Sequence, residues 1–294
     1  MSKYTREDKI TVQKDTFDIF KNGIYINSKD EKIILDKEII KQSIENTCKI
    51  KSKNIIIGEN TKKNTKIFLV SADCLEVGIV LSEKYSVGHL NMASYSRPGG
   101  GYITGASAQE ESVMRRSNCH LCIDPINFSQ TTSSYTNKYD NCKDTNLYPI
   151  KYDEIIYVPN MMVIKHCEML KYKLLDKPIL INALVCPAIK KFHYQKFDEE
   201  DIKMTEYKID LILRTAIKYK HTAVVLGAFG CGAYHNPPEI IANICNRVVK
   251  KYDGYFDIIV YAIINDQNGK YNVESFSKIL NQKPIKLQEL RTLI

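Results

Sequence analysis

No run of residues approaches the ~18 consecutive apolar positions that a membrane-spanning helix needs, and Met1–Asp8 lacks the apolar region of a signal peptide. The expectation is a soluble intracellular protein, cytoplasmic or nuclear, with no membrane partner. The 9 cysteines are odd in number and show no framework spacing, which speaks for reduced thiols. Cys119-His120-Leu121-Cys122 is a lone C-x-x-C without a second pair, so no structural metal is expected. Two nucleotide motifs fail at a decisive residue. Gly100 to Gly105 has the glycine spacing of a Walker A loop, but Ala106-Ser107 follow and the phosphate-binding lysine is missing. Gly230-Cys231-Gly232 begins like a dinucleotide fingerprint, yet lacks the third glycine and does not open the chain's first βα unit. Neither ATP hydrolysis nor nicotinamide redox chemistry is supported. No basic run is concentrated enough to argue for groove binding, so nucleic acid is not an expected partner.

What is present describes an ordinary folded domain. The 294 residues are long enough for a substantial single core, and 44% hydrophobic content is unremarkable. The net charge of +8 either spreads lysines over the surface or favours a polyanionic partner. Thr5 to Asn22 reads as an amphipathic helix ended by Gly23, and a turn at Ser28-Lys29-Asp30 joins Gly23–Asn27 to Lys32–Leu35 as a hairpin. Asp36 can cap a helix to about Cys48, and Lys49–Thr65 reads as a surface connection.

Strands and helices then alternate. The strands are Lys66–Val70, Val87–Met92, Glu154–Val158, Met161–Lys165, Ile179–Val185, Thr222–Leu226 and Phe256–Ile264. The helices are Asp73–Tyr85, one from Gln109, Met204–Tyr219 and Pro238–Lys250. Such alternation predicts an α/β sheet covered on both faces.

The chemistry concentrates between Asn91 and Asn118. Gly99-Gly100-Gly101 follows a strand, and three glycines make sense where a ligand must approach the main chain. Gln109-Glu110-Glu111 opens the next helix. Structural roles are available for both acids: Ser107-Ala108-Gln109-Glu110 fits a capping box, and Glu111 precedes Arg115 by four residues, a pair worth only about 0.2–0.5 kcal/mol on an exposed helix. A second glycine loop, Gly227 to Gly232, also follows a strand. Ligands of open α/β sheets bind beyond the carboxyl ends of strands, so the two loops can flank one crevice.

At these residues the chain resembles the microbial-type poly(ADP-ribose) glycohydrolases, a catalytic branch of the macrodomains. The resemblance rests on Gly99–Gly101 followed by Gln109–Glu111, and on Leu226-Gly227-Ala228-Phe229-Gly230-Cys231-Gly232-Ala233-Tyr234-His235-Asn236-Pro237, similar to the family's diphosphate-binding loop. Arg97 stands where members often carry Asn, Tyr234 where they usually carry Phe, and the Cys119–Asn146 segment is rich in Cys, Asn, Ser and Thr. The resemblance implies a three-layer α/β/α macrodomain-like fold with a central mixed sheet over residues 66–294, carrying an N-terminal helical extension over residues 1–65. It implies hydrolysis of ribose–ribose O-glycosidic bonds in poly(ADP-ribose) or ADP-ribosylated protein, with ADP-ribose as product and no metal or organic cofactor. A monomer is the default.

Glu111 would be the catalytic acid/base, with its pKa raised by burial or by Glu110. Glu110 would orient the adjoining ribose and Gln109 place the pair. Gly99, Gly100 and Gly101 would wrap the distal ribose, with Asn91 and Tyr234 beside it. Backbone N–H groups of Gly230, Cys231, Gly232, Ala233 and Tyr234 would hold the diphosphate. Asp73 would accept from the adenine amino group or, equally, cap its helix, and Asn236 would shape the loop. The alternatives are a mono-ADP-ribosyl hydrolase or a non-catalytic ADP-ribose reader.

Overall fold

The computed structural model describes residues 4–60, 64–124, 147–192, 195–264 and 270–294. The helices are α1 (Arg6–Asn22), α2 (Lys37–Glu45), α3 (Cys74–Leu81), α4 (Gln109–Arg116), α5 (Cys119–Ile123), α6 (Glu199–Lys218), α7 (Pro238–Lys250), α8 (Lys270–Leu280) and α9 (Leu287–Leu293). The strands are β1 (Ile24–Ile26), β2 (Lys32–Ile34), β3 (Cys48–Lys51), β4 (Lys66–Val70), β5 (Val87–Met92), β6 (Glu154–Lys165), β7 (Leu174–Cys186), β8 (Ala223–Leu226) and β9 (Ile258–Ala262). β1 and β2 form the expected hairpin. The other seven build one sheet in the order β3-β6-β7-β5-β8-β9-β4. It is mixed: β7, β5, β8, β9 and β4 run parallel, while β6 is antiparallel to both β7 and β3.

Side chains alternate across this sheet, as the two-residue period of a strand requires. On β8, Ala223 and Val225 join one core cluster while Val224 and Leu226 join the other. Residues of α1 to α5 and α9 cover the first face, and those of α6 to α8 the second. The expected three-layer α/β/α arrangement around a mixed sheet is what the chain forms.

Several boundaries differ from the sequence expectations for local reasons. α2 stops at Glu45, and β3 starts at Cys48, read as the helix end, and runs into the lysine-rich stretch read as a connection, so residues 1–65 supply the sheet's edge strand as well as helices and a hairpin. Its Cys-Lys-Ile-Lys pattern buries only Ile50, too brief an alternation to declare a strand. Glu154–Val158 and Met161–Lys165 are one strand, because a register shift between Val158 and Met161, with Asn160 at φ 48°, carries β6 through Pro159. α6 begins five residues before Met204, where Asp198 caps it and Asp201 returns the bond. Beyond Asp124, the Cys119–Asn146 segment falls outside the described residues until 147.

Among the described residues no helix is long and apolar enough to cross a membrane.

Candidate active site

Both glycine loops leave the carboxyl ends of β5 and β8, which are adjacent and parallel. The glycine loop after β5 folds back onto the start of α4, and four backbone N–H groups converge on two carboxyls. Glu110 accepts from Ser94 (2.7 Å) and Gly99 (3.1 Å). Glu111 accepts from Gly101 (2.9 Å) and Ala108 (2.9 Å). Both acids are buried, at 3% and 7% exposure. A helix N-terminus favours carboxylates, and here the loop adds further donors. Gly100 sits at φ +61°, and a Cβ there would collide with Glu111 Oε1 and stand 3.1 Å from Glu110 Oε2. Gly100 is thus required by the closeness of main chain to carboxyl, whereas a Cβ on Gly99 would strike Met114 and Tyr102 and one on Gly101 would strike Ala106. The N–H groups of Gly99 and Gly101 serve the acids, while that of Gly100 closes a turn onto the Arg97 carbonyl (3.0 Å).

This geometry corrects the structural roles read from spacing. The helix cap belongs to Glu111, reaching back to Ala108, and not to Glu110 with Ser107. Ser107 instead receives Lys9 of α1. Arg115 is no exposed partner of Glu111: it is buried, and its Nε donates to the Tyr172 hydroxyl at 3.3 Å. Glu110 is the carboxyl that burial pushes up, to about 8; Glu111 adds to the rise, while the Ser94 and Gly99 N–H bonds oppose it.

Gln109 fastens α4 to the end of β5. Its Oε1 accepts from Met92 N–H (2.8 Å), and its Nε2 donates to Leu90 carbonyl (2.8 Å) and approaches His89 Nε2 at 3.1 Å. Burial pulls His89 down to about 4, so the ring is neutral and can accept that bond. Asn91, on the same face of β5 as His89, is fully buried, and neither atom of its amide group finds a protein partner among the described residues.

The second loop stands against the first. A Cβ on Gly227 would lie 3.1 Å from Met92 Cε. Tyr234 reaches the Ser94–Tyr95 turn; burial, and then the nearby Glu110 and Glu111, hold its hydroxyl above the usual range against contacts with that turn. Within the loop, Cys231 N–H is spent on Ala228 carbonyl (3.0 Å). The N–H groups of Gly230, Gly232, Ala233 and Tyr234 take no protein partner among the described residues. A Cβ on Gly232 would meet nothing within 4 Å, whereas one on Gly230 would strike the Asn236 amide; the Asn236 main-chain N–H closes the turn onto Gly230 carbonyl (3.0 Å), while its buried side-chain amide takes no protein partner among the described residues. Four of the five amides expected to face a diphosphate therefore remain available, backed by the N-terminus of α7. Burial raises the Cys231 thiol well above its ordinary range, which disfavours the thiolate that a nucleophile needs.

Asp73 follows β4, three strands from β5 in the sheet order. Its Oδ1 caps α3 through Leu75 N–H (2.9 Å) and Glu76 N–H (3.0 Å) and accepts from Arg116 Nη1 (2.7 Å). Burial alone would raise this carboxyl, but the Arg116 guanidinium outweighs it and holds Asp73 below the usual range. The capping reading of Asp73 is realised.

Three residues near the pair carried no signal in the sequence: Ser94, His89 and Tyr148. The Tyr148 hydroxyl is raised well above its usual range by burial and then by neighbouring Glu110, which places it beside the carboxyls. Among the described residues, no group of His, Cys, Asp and Glu is arranged to hold a metal ion.

A family model described as the microbial-type PARG catalytic domain matches residues 13–166. Among solved structures, the chain is similar to a poly(ADP-ribose) glycohydrolase from Thermomonospora curvata, with 21% identity and a TM-score of 0.76 over 93% of this chain and 99% of that one. The same enzyme bound to the inhibitor ADP-HPD gives 21% identity and a TM-score of 0.73 over 92% and 99% of the two chains. The Deinococcus radiodurans poly(ADP-ribose) glycohydrolase in complex with ADP-ribose gives 22% identity and a TM-score of 0.66 over 82% and 97%. No curated protein matches the chain.

Proposed function

The chain belongs to the microbial-type poly(ADP-ribose) glycohydrolase family, and from that premise we propose that it hydrolyses the ribose–ribose O-glycosidic bonds of poly(ADP-ribose) and releases ADP-ribose. The observation that carries this reading is the buried pair Glu110–Glu111, held by four main-chain N–H groups beside a loop with free amides. Gly230, Gly232, Ala233 and Tyr234 offer N–H groups to the diphosphate, which places the distal ribose toward the carboxyls. Asn91, with its amide group unpartnered, and the Tyr234 ring are assigned to that ribose.

Glu111 is the general acid/base. Its carboxyl protonates the leaving ribose oxygen as the acetal C–O bond breaks through an oxocarbenium-like transition state. The carboxylate so formed takes a proton from the incoming water as the new C–O bond forms, and the acid is restored. Glu110, pushed up to about 8 by burial, gives a ribose hydroxyl a neutral partner and adds no second negative charge once Glu111 has given up its proton. Gln109 keeps both acids against β5.

The positive net charge of +8 suits a polymer that carries a diphosphate in every unit. The same reading takes free polymer or ADP-ribosylated protein as substrate, and a monomer in the cytoplasm or nucleus as the working form.

The test is product analysis after incubation with labelled poly(ADP-ribose) and, separately, mono-ADP-ribosylated protein. Free ADP-ribose released from polymer is the expected result. Release from the mono-modified protein alone, or tight binding of polymer without turnover, would contradict the reading.

A further inference from the structure

On the first face of the sheet, at its β3 edge, lies an open hollow of about 410 Å³ lined by Lys49, Lys51, Tyr148, Pro149, Lys151 and Glu154. Lys49 and Lys51 project from the same side of β3, and the antiparallel register sets Lys51 opposite Glu154. Glu154 is buried at 2% exposure, and one of its oxygens serves two walls at once. It accepts from the Lys151 main-chain N–H at 3.0 Å and pairs with Lys49 Nζ at 3.5 Å. Three cations against one carboxylate leave an excess of two positive charges, the charge a diphosphate would balance.

The cavity is one side chain away from the catalytic pair. Tyr148 forms part of its lining and also stands beside Glu110 and Tyr234. The turn that carries it is tied to the start of the glycine loop, where Ile150 N–H donates to Tyr95 carbonyl at 2.9 Å. The diphosphate of the unit being removed is assigned to the loop after β8, and in the sheet order β5, which leads into the carboxyl-bearing loop and helix, stands between β8 and the β3 edge that carries this second basic hollow.

Resting on the function proposed above, we propose that this cavity is a subsite for the adjoining ADP-ribose unit on the leaving-group side of the scissile bond, with Lys49, Lys51 and Lys151 receiving its diphosphate. The site would favour polymer over a single attached ADP-ribose. Flexible lysines suit a chain that must slide on after each cleavage, whereas a fixed amide nest suits the unit being released.

The test compares labelled poly(ADP-ribose) with an ADP-ribose carrying one small aryl leaving group, which ends at the scissile bond. The variants are Lys51→Gln/Lys151→Gln, both at exposed positions, and Lys49→Gln separately, each checked for an unchanged melting transition. The double variant should lower the ratio of kcat/KM for polymer to kcat/KM for the short substrate about tenfold, through the KM for polymer. The slope of log KM against log salt for polymer should fall by roughly 0.7 per lysine removed, as for single-stranded polyanions. A ratio within twofold of wild type would overturn the subsite and leave the lysines as guards of an open sheet edge. Inhibition of polymer cleavage by single-stranded RNA of equal charge, as strong as by non-hydrolysed polymer, would also overturn it in favour of generic anion binding. If the wild type cleaves neither substrate, the function fails and the subsite falls with it. A flat ratio in an active enzyme sinks the subsite alone.

Discussion

At Gly100 the requirement for glycine is twofold: a left-handed φ, and no room for a Cβ against Glu111. Gly100→Ala should therefore destabilise the fold by about 1–3 kcal/mol and lower kcat as well, because the carboxyl must move to admit the methyl. Urea denaturation and steady-state kinetics on polymer would check both. Glu110 ties the site to pH. The unfolded chain releases this proton near 4.5 and the folded chain near 8, so its contribution is complete below 4.5 and is lost as pH rises to 8. The buried neutral histidines act oppositely: His89 and His221, lowered to about 4, and His120, lowered to about 3, withdraw stability as pH falls below 6.5. Subtracting the melting profile of Glu110→Gln from that of wild type isolates the carboxyl. The difference should show wild type losing up to about 1.4 kcal/mol per pH unit between 5 and 8, and a flat difference would remove Glu110 as the proton holder.

α4 is short, and its position depends on contacts at both ends. Its first turn hangs from β5 through Gln109 and from the glycine loop through the two acids. Its last turn is gripped by α1, where Thr16 Oγ1 donates to Arg115 carbonyl at 2.5 Å and accepts from Lys165 Nζ at 2.6 Å. Arg116 completes the hold, reaching Asp73, Glu76 at 2.5 Å and Lys165 carbonyl at 3.1 Å. Thr16→Val, nearly equal in shape, leaves a buried carbonyl and a buried ammonium short of a partner. It should cost about 1–3 kcal/mol and raise the unfolding rate, read by chemical denaturation. Unchanged stability would mean that α1 merely covers the sheet.

At the scale of the whole molecule, what the sequence disclosed follows from how local each signal is. β5 and α7 have the limits read from the sequence, because a buried apolar run and a proline-started amphipathic stretch are self-contained patterns. β3 escaped, since its identity depends on pairing with β6, more than a hundred residues away. The acid pair and both glycine loops were visible as contiguous motifs. Tyr148, Ser94 and His89 were not, because only the folded chain brings them to Glu110 and Gln109. Cys231 shows the same limit within a motif: its amide looked available in the sequence but closes a turn onto Ala228.

The sharpest trial of the glycohydrolase mechanism is single-turnover cleavage of labelled poly(ADP-ribose) by wild type and Glu111→Gln, with ADP-ribose affinity measured on both by calorimetry. General acid–base catalysis contributes about 10²–10⁴-fold, so the variant should lose that much in rate while still binding ADP-ribose. A variant that cleaves within a few-fold of wild type would show that the carboxyl at position 111 does not break the bond.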